Sequence, residues 1–236
     1  MSADGSDPLV AAFVLVPLLL VAALAWGVVA ASRRSGAPAA ESTRAASLTV
    51  VAAAAWMAVT WTAASSGLLQ RWDRTPPPFA MLIVATIALA LALAFSPVGG
   101  RLARFVPLWA LVLVQAFRLP LELAMHALYE RGIMPRQMSY SGRNFDVVTG
   151  ATALLVAALA HSGGSRRLVA AWNAMGLALL ANVVAVAILS PPRFRFFGPD
   201  QLSTFVTYTP YVWLPAVMVL AALAGHLVVF RALRAS

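Results

Sequence analysis

The sequence predicts an all-α fold: a polytopic membrane helix bundle of seven transmembrane helices forming one domain over residues 1–236. Three observations predict it. The 236 residues are 61% hydrophobic with a mean hydropathy of +0.84, far more apolar than a soluble domain of this size. Only 11% are charged. The apolar residues fall in seven runs near the ~20 residues that cross a bilayer as a helix, and none alternates as a barrel strand would.

The spans are roughly 9–31, 47–69, 79–96, 105–129, 145–161, 168–190 and 210–230. Helix is required because backbone polar groups in lipid must be satisfied within the segment. The third and fifth are the shortest. The first is expected to be retained, because its N-terminal flank carries Asp4 and Asp7 and no base, unlike a signal peptide. Thr75–Pro78 (TPPP) and Ser190–Pro192 (SPP) read as rigid stops. Pro17 and Pro215 are expected to kink the first and seventh spans, and Trp172 and Trp213 to sit in interface belts.

The net charge of +9 does not point to nucleic acid, because the arginines come in ones and twos between apolar runs. Their distribution sets the topology instead. The loops after spans one, three and five, with the C-terminus, hold nine arginines and a single acid, Glu41. The opposite side holds seven arginines and six acids, Asp4, Asp7, Asp73, Glu130, Asp146 and Asp200. The positive-inside rule then puts the N-terminus outside and the C-terminus in the cytoplasm. All 17 basic residues are arginine, and with so much alanine this suggests a GC-rich bacterial genome and the inner membrane. With no cysteine and no lysine, disulfides, thiolate metal sites, iron–sulfur ligation and Schiff-base chemistry are excluded.

The fourth span is unusual. In QAFRLPLELAMHALYE, Arg118, Glu122 and His126 recur at steps of four, with Glu130 following. The four lie within about 120° of one helix face. Pro120 removes an amide and leaves the Ala116 carbonyl without its usual partner. An unpaired charge at the bilayer centre costs at least about 3 kcal/mol, so an Arg118–Glu122 pair in the outer half, extended by His126, is the economical expectation. The following loop carries Arg143, Asn144 and Asp146; Gly142 permits a tight approach, and Asn144 or Asp146 can cap the incoming helix. One reading is a structural charge network. The sharper one is an outward-facing site for a small ion or polar solute, formed by Arg118, Glu122, His126, Arg143, Asn144 and Asp146.

Asn173, Asn182 and His226 read as helix glue or as the lining of a path. His161 and His226, on different helices near the cytoplasmic side, are the residues a haem protein would use. No nucleophile–base–acid pattern, phosphate loop or metalloprotease motif appears, so no catalytic residue, metal or cofactor is expected. One histidine between two acids, above an arginine, is a poor metal set.

Several strings in order carry a resemblance: RLPLE (118–122), GRNFD (142–146), WNAMGLALLANVV (172–184), AILSPP (187–192), and WLP (213–215) with a later His226. Over residues 105–230 the chain resembles a family of bacterial multi-pass membrane proteins without an established activity. The resemblance implies an inner-membrane protein of about seven helices and gives weight to Arg118, Glu122, Arg143, Asn144, Asp146, Asn173 and His226. The expected partners are the lipid bilayer, a small ion or polar solute, and other membrane subunits. Two other functions fit: a non-catalytic structural subunit of a larger membrane complex, or a membrane redox protein or enzyme using His126 or His161/His226.

Overall fold

The computed structural model describes residues 7–235; Asp4, counted above on the outer side, lies outside them. Among the described residues the regular structure is entirely helical. The helices in order are α1 (Pro8–Arg34), α2 (Ala39–Ser65), α3 (Pro78–Phe95), α4 (Pro97–Phe105), α5 (Leu108–Val114), α6 (Arg118–Glu130), α7 (Val147–His161), α8 (Arg166–Leu189) and α9 (Leu220–Arg234). A 3-10 turn, Gln115–Phe117, joins α5 to α6, and a π-helical turn, Leu214–Val219, leads into α9. Among the described residues, six segments are long and apolar enough to cross a membrane: α1, α2, α3, Leu108–Glu130, α8 and Leu214–Arg234.

Local chemistry sets the boundaries. Asp7 accepts a hydrogen bond from the Leu9 amide and Pro8 opens α1. Pro78 opens α3. Ser96 ends α3 and caps α4 through the Gly99 amide, so residues 97–105 form a separate amphipathic helix carrying Arg101 and Arg104. The fourth span accordingly starts at Leu108, not 105. At the same end of the bundle, Arg34 donates to the Phe105 carbonyl at 2.9 Å and Arg231 to the Ala94 carbonyl. Cationic side chains there satisfy carbonyls that helix C-termini leave open.

The fifth expected span is only 15 residues in the structure, α7. That is about 22 Å of helix against a hydrocarbon core of about 30 Å. The remaining depth is filled by the α6–α7 connection, in which Gln137, Met138, Ser139 and Asn144 are buried. Non-helical backbone at membrane depth is tolerated only inside protein, and a second loop provides the cover. Gln137 donates to Ser190 Oγ at 3.1 Å and to the Gln201 carbonyl at 2.6 Å. Phe205, Val206, Tyr211 and Val212 of that second loop join the core with Phe13, Met125, Leu128 and Met138.

The π turn contains Pro215, as the kink expectation allows. Trp56 of α2 donates to the Ala216 carbonyl at 2.8 Å, and Trp213 donates back to Met57 at 3.2 Å. These bonds pin α2, otherwise packed mainly on α1. Trp172 is not in an interface belt: it is buried and donates to Thr152 Oγ1 at 3.0 Å, joining α8 to α7.

The α6–α7 crossing is close. A Cβ on Gly150 would lie 2.3 Å from the Leu119 nitrogen and 2.9 Å from the Arg118 carbonyl carbon. Both are backbone atoms that cannot rotate away. Gly150→Ala is therefore expected to cost about 1–3 kcal/mol, read as a lower thermal unfolding midpoint in detergent; an unchanged midpoint would show that the crossing yields freely.

Candidate functional site

The segment Leu108–Glu130 is about 34 Å long, and Arg118 lies about 15 Å from its start. Arg118 is thus near the middle of the bundle rather than in the outer half. The preceding 3-10 turn answers the missing amide of Pro120: the Arg118 amide donates to the Gln115 carbonyl, tightening the chain just where the α-helical ladder is broken. This rotates Gln115 and Arg118 together into the interior, where both are fully enclosed.

Arg118 does not pair with Glu122. Its Nη1 contacts Asp146 Oδ1 at 2.8 Å, with both side chains buried. Residues four apart can meet on one helix, yet the contact goes to Asp146, which stands at the N-cap position of α7. Asp146 also accepts from Thr149 Oγ1 at 3.3 Å; its side chain makes no capping bond to α7, although it stands at the N-cap position. Glu122 is taken by Asn144 instead: Nδ2 donates to Glu122 Oε2 at 2.7 Å and to the Met138 carbonyl at 3.0 Å. Asn144 Oδ1 accepts the Asp146 amide at 3.1 Å. Asn144 therefore holds both carboxylates in register. Gly142 makes the expected tight approach, its Cα lying against the Arg136 carbonyl.

Two residues expected here point elsewhere. His126 stacks on Tyr140 with ring centroids 4.2 Å apart, shares a hydrogen bond with Ser139 Oγ at 2.8 Å, and lies 3.5 Å from exposed Glu130. It belongs to the outer surface of the connection. Arg143 is exposed, with its guanidinium over the Phe197 ring at 5.4 Å. It offers the site only its carbonyl, which accepts from Asn182 at 2.7 Å. Asn182 thus holds the loop down.

The cluster continues inward. Asn173 Nδ2 donates to the His226 carbonyl at 3.0 Å, and His226 Nδ1 meets Asn173 Oδ1 at 2.7 Å. The accepting oxygen puts the proton on Nδ1, which leaves Nε2 as an acceptor. His226 is fully buried. Its ring lies against Gly176, where a Cβ would sit 2.6 Å from His226 Cε1 and 2.8 Å from the Thr149 methyl. Thr149, whose hydroxyl donates to Asp146, places its methyl beside the same glycine. His161 packs edge-on against Trp109 at the exposed end of α7; no contact among the described residues joins it to His226.

Six buried side-chain atoms among the described residues lack a hydrogen-bond partner. Five belong to this region: Arg118 Nε and Nη2, Gln115 Oε1, His226 Nε2 and Thr86 Oγ1. Unpaired buried polar groups are rare in native proteins, so their concentration here marks the region. Gln115, Thr86 and Thr149 were missed as site residues. Gln115 and Thr149 stand three residues from Arg118 and Asp146 on helical faces, a signal that was present; Thr86, on a distant helix, gave none. Arg118, Glu122, Asn144 and Asp146 also line a small cleft between α3, α6, α8 and the π turn.

Residues 77–234 match DUF8737, a domain of unknown function. The chain belongs to that family. No curated protein and no solved structure matches it. The family region begins one residue before α3 and takes in α3 to α9. It holds every residue of the polar cluster and leaves α1 and α2 outside.

The ion pair makes a specific prediction. Removing one partner strands a buried charge, at about 3–5 kcal/mol, whereas replacing both with apolar residues can be near neutral. Arg118→Leu and Asp146→Leu should each lower the denaturation midpoint strongly, and the double variant should recover much of the loss in a double-mutant cycle. Additive losses would show that the two groups are energetically independent.

Proposed function

We propose that this is a seven-helix protein of a bacterial inner membrane, N-terminus outside and C-terminus cytoplasmic, whose buried cluster of Arg118, Glu122, Asn144 and Asp146 binds or passes a small ion or polar solute reached from the outer side. One observation carries this reading: Arg118 is buried with two of its three guanidinium nitrogens unpartnered, at the edge of an internal cleft. A structural ion pair selected only for rigidity gains by satisfying its remaining donors. A group that must exchange partners with a ligand keeps donors free. The arrangement also provides two carboxylates for one guanidinium, so the cluster can receive either a hydrogen-bond acceptor at Arg118 or a positive charge at Glu122.

A second reading, a structural lock within a larger membrane assembly, draws on different contacts. The Arg118–Asp146 and Asn144–Glu122 bonds tie the α6–α7 connection to α6, and α2 contributes a mostly exposed apolar helix beyond the family region.

Thermal unfolding in detergent separates the two. Wild type and Glu122→Gln would be run with and without a panel of alkali cations, halides and small carboxylates. The binding reading expects one additive to raise the wild-type midpoint and to lose that effect in Glu122→Gln. A destabilised variant with no additive effect in either protein supports the lock and refutes binding of these solutes.

The topology is tested separately. The chain has no cysteine, so single substitutions are unambiguous. Gly132→Cys should react with a membrane-impermeant maleimide in intact cells, and Gly36→Cys only after lysis; the opposite pattern reverses the orientation.

A further inference from the structure

The cleft beside Arg118 is walled almost wholly by apolar side chains. Leu121, Met125, Leu180, Val183 and Met218 are among them, and the polar groups are confined to Arg118, Glu122, Asn144, Asp146 and Thr86. Its lining comes from α3, α6, α8 and the π turn, with Asn144 and Asp146 from the connection before α7. Its half-buried lining residues include Ile83 and Ile87 of α3 and Val183 and Val184 of α8, where the lining comes nearest the surface of the bundle. α3 and α8 both pack on the segment Leu214–Arg234. The cleft runs between them, over a π turn, a distortion often found at functional sites.

These walls suit a hydrocarbon chain better than a hydrated ion, which would have to shed its water against valine and leucine. The floor specifies the head. Arg118 has spare donors, so the head must carry an acceptor. Asp146 already neutralises Arg118, and Glu122 stands nearby, so an anionic head meets two carboxylates and is disfavoured. Thr86 Oγ1, buried and unpartnered on the opposite wall, can donate to or accept from an uncharged group.

We propose that the cleft admits, sideways from the bilayer, an uncharged lipid-soluble molecule whose hydroxyl or carbonyl oxygen accepts hydrogen bonds from Arg118, with its chain lying between α3 and α8. This rests on the reading of the Arg118 cluster as a binding site and replaces a water-borne solute by a membrane-dissolved one.

The test uses the full chain in lipid nanodiscs with a diazirine-bearing long-chain alcohol as photoprobe, and peptide mapping of the adducts. The expected labelling concentrates on residues 83–87 and 180–187. It is competed by 1-dodecanol and not by dodecanoate or dodecylammonium. It is lost in Ile87→Trp and Val183→Trp, which fill the cleft at half-buried positions and leave the ion pair intact. Arg118→Gln, if it folds, should need about tenfold or more competitor, as expected for losing a hydrogen bond to a charged group. Labelling spread over all lipid-facing helices, or unaffected by dodecanol, overturns the proposal. Equal competition by dodecanoate overturns the assignment of an uncharged head. If the probe fails while an ion or small carboxylate stabilises the wild type, only this inference falls; if both fail, the binding reading falls with it.

Discussion

The Arg118–Asp146 ion pair is the contact on which the rest of the architecture turns. A guanidinium buried near the middle of a spanning segment about 34 Å long is withdrawn from bulk solvent, and a lone charge there is costly. The chain solves this by bringing a carboxylate down from a loop. For Asp146 to reach Arg118, the connection after α6 must enter the bundle, and α7 must start part-way through it. The shortness of α7, the burial of Gln137, Ser139 and Asn144, and the tight Gly150 crossing all follow from that descent.

A loop inside the membrane depth creates a second demand, because its own amides and carbonyls need partners. Asn144 meets part of it by serving Glu122, Met138 and the Asp146 amide together. Gln137 meets another part by binding Ser190 and Gln201 of the loop after α8. The polar cluster and the two loops over it are therefore one structure. Beneath it, Thr149, Gly176, Asn173 and His226 extend the polar interior across α7, α8 and α9, by contacts that only small residues at 150 and 176 permit.

The network is nonetheless unfinished at its centre. Most of its polar atoms are bonded at 2.7–3.3 Å, yet Arg118 keeps two free nitrogens and Gln115, Thr86 and His226 one free atom each. In a low-dielectric interior, satisfied networks rigidify and unsatisfied ones are costly. The cluster is thus braced on one side and leaves polar atoms unpaired on the other, beside a cleft with apolar walls.

Much of this was legible in the chain itself. Apolar runs near 20 residues and proline stops place the helices along the chain, because lipid leaves the backbone no alternative to helix. The four-residue spacing of Arg118 and Glu122 marked the polar face, and the GRNFD string brought Asn144 and Asp146 to the same neighbourhood. Which acid pairs with which base was not legible. Periodicity places Glu122 beside Arg118 on one helix, but the partner is chosen by the direction in which a loop approaches, and that depends on α7 starting late. For the same reason His126 and Arg143, expected in the cluster, turn instead to Tyr140 and Phe197. The cleft, with walls from four segments spread over more than a hundred residues, exists only once those segments are packed.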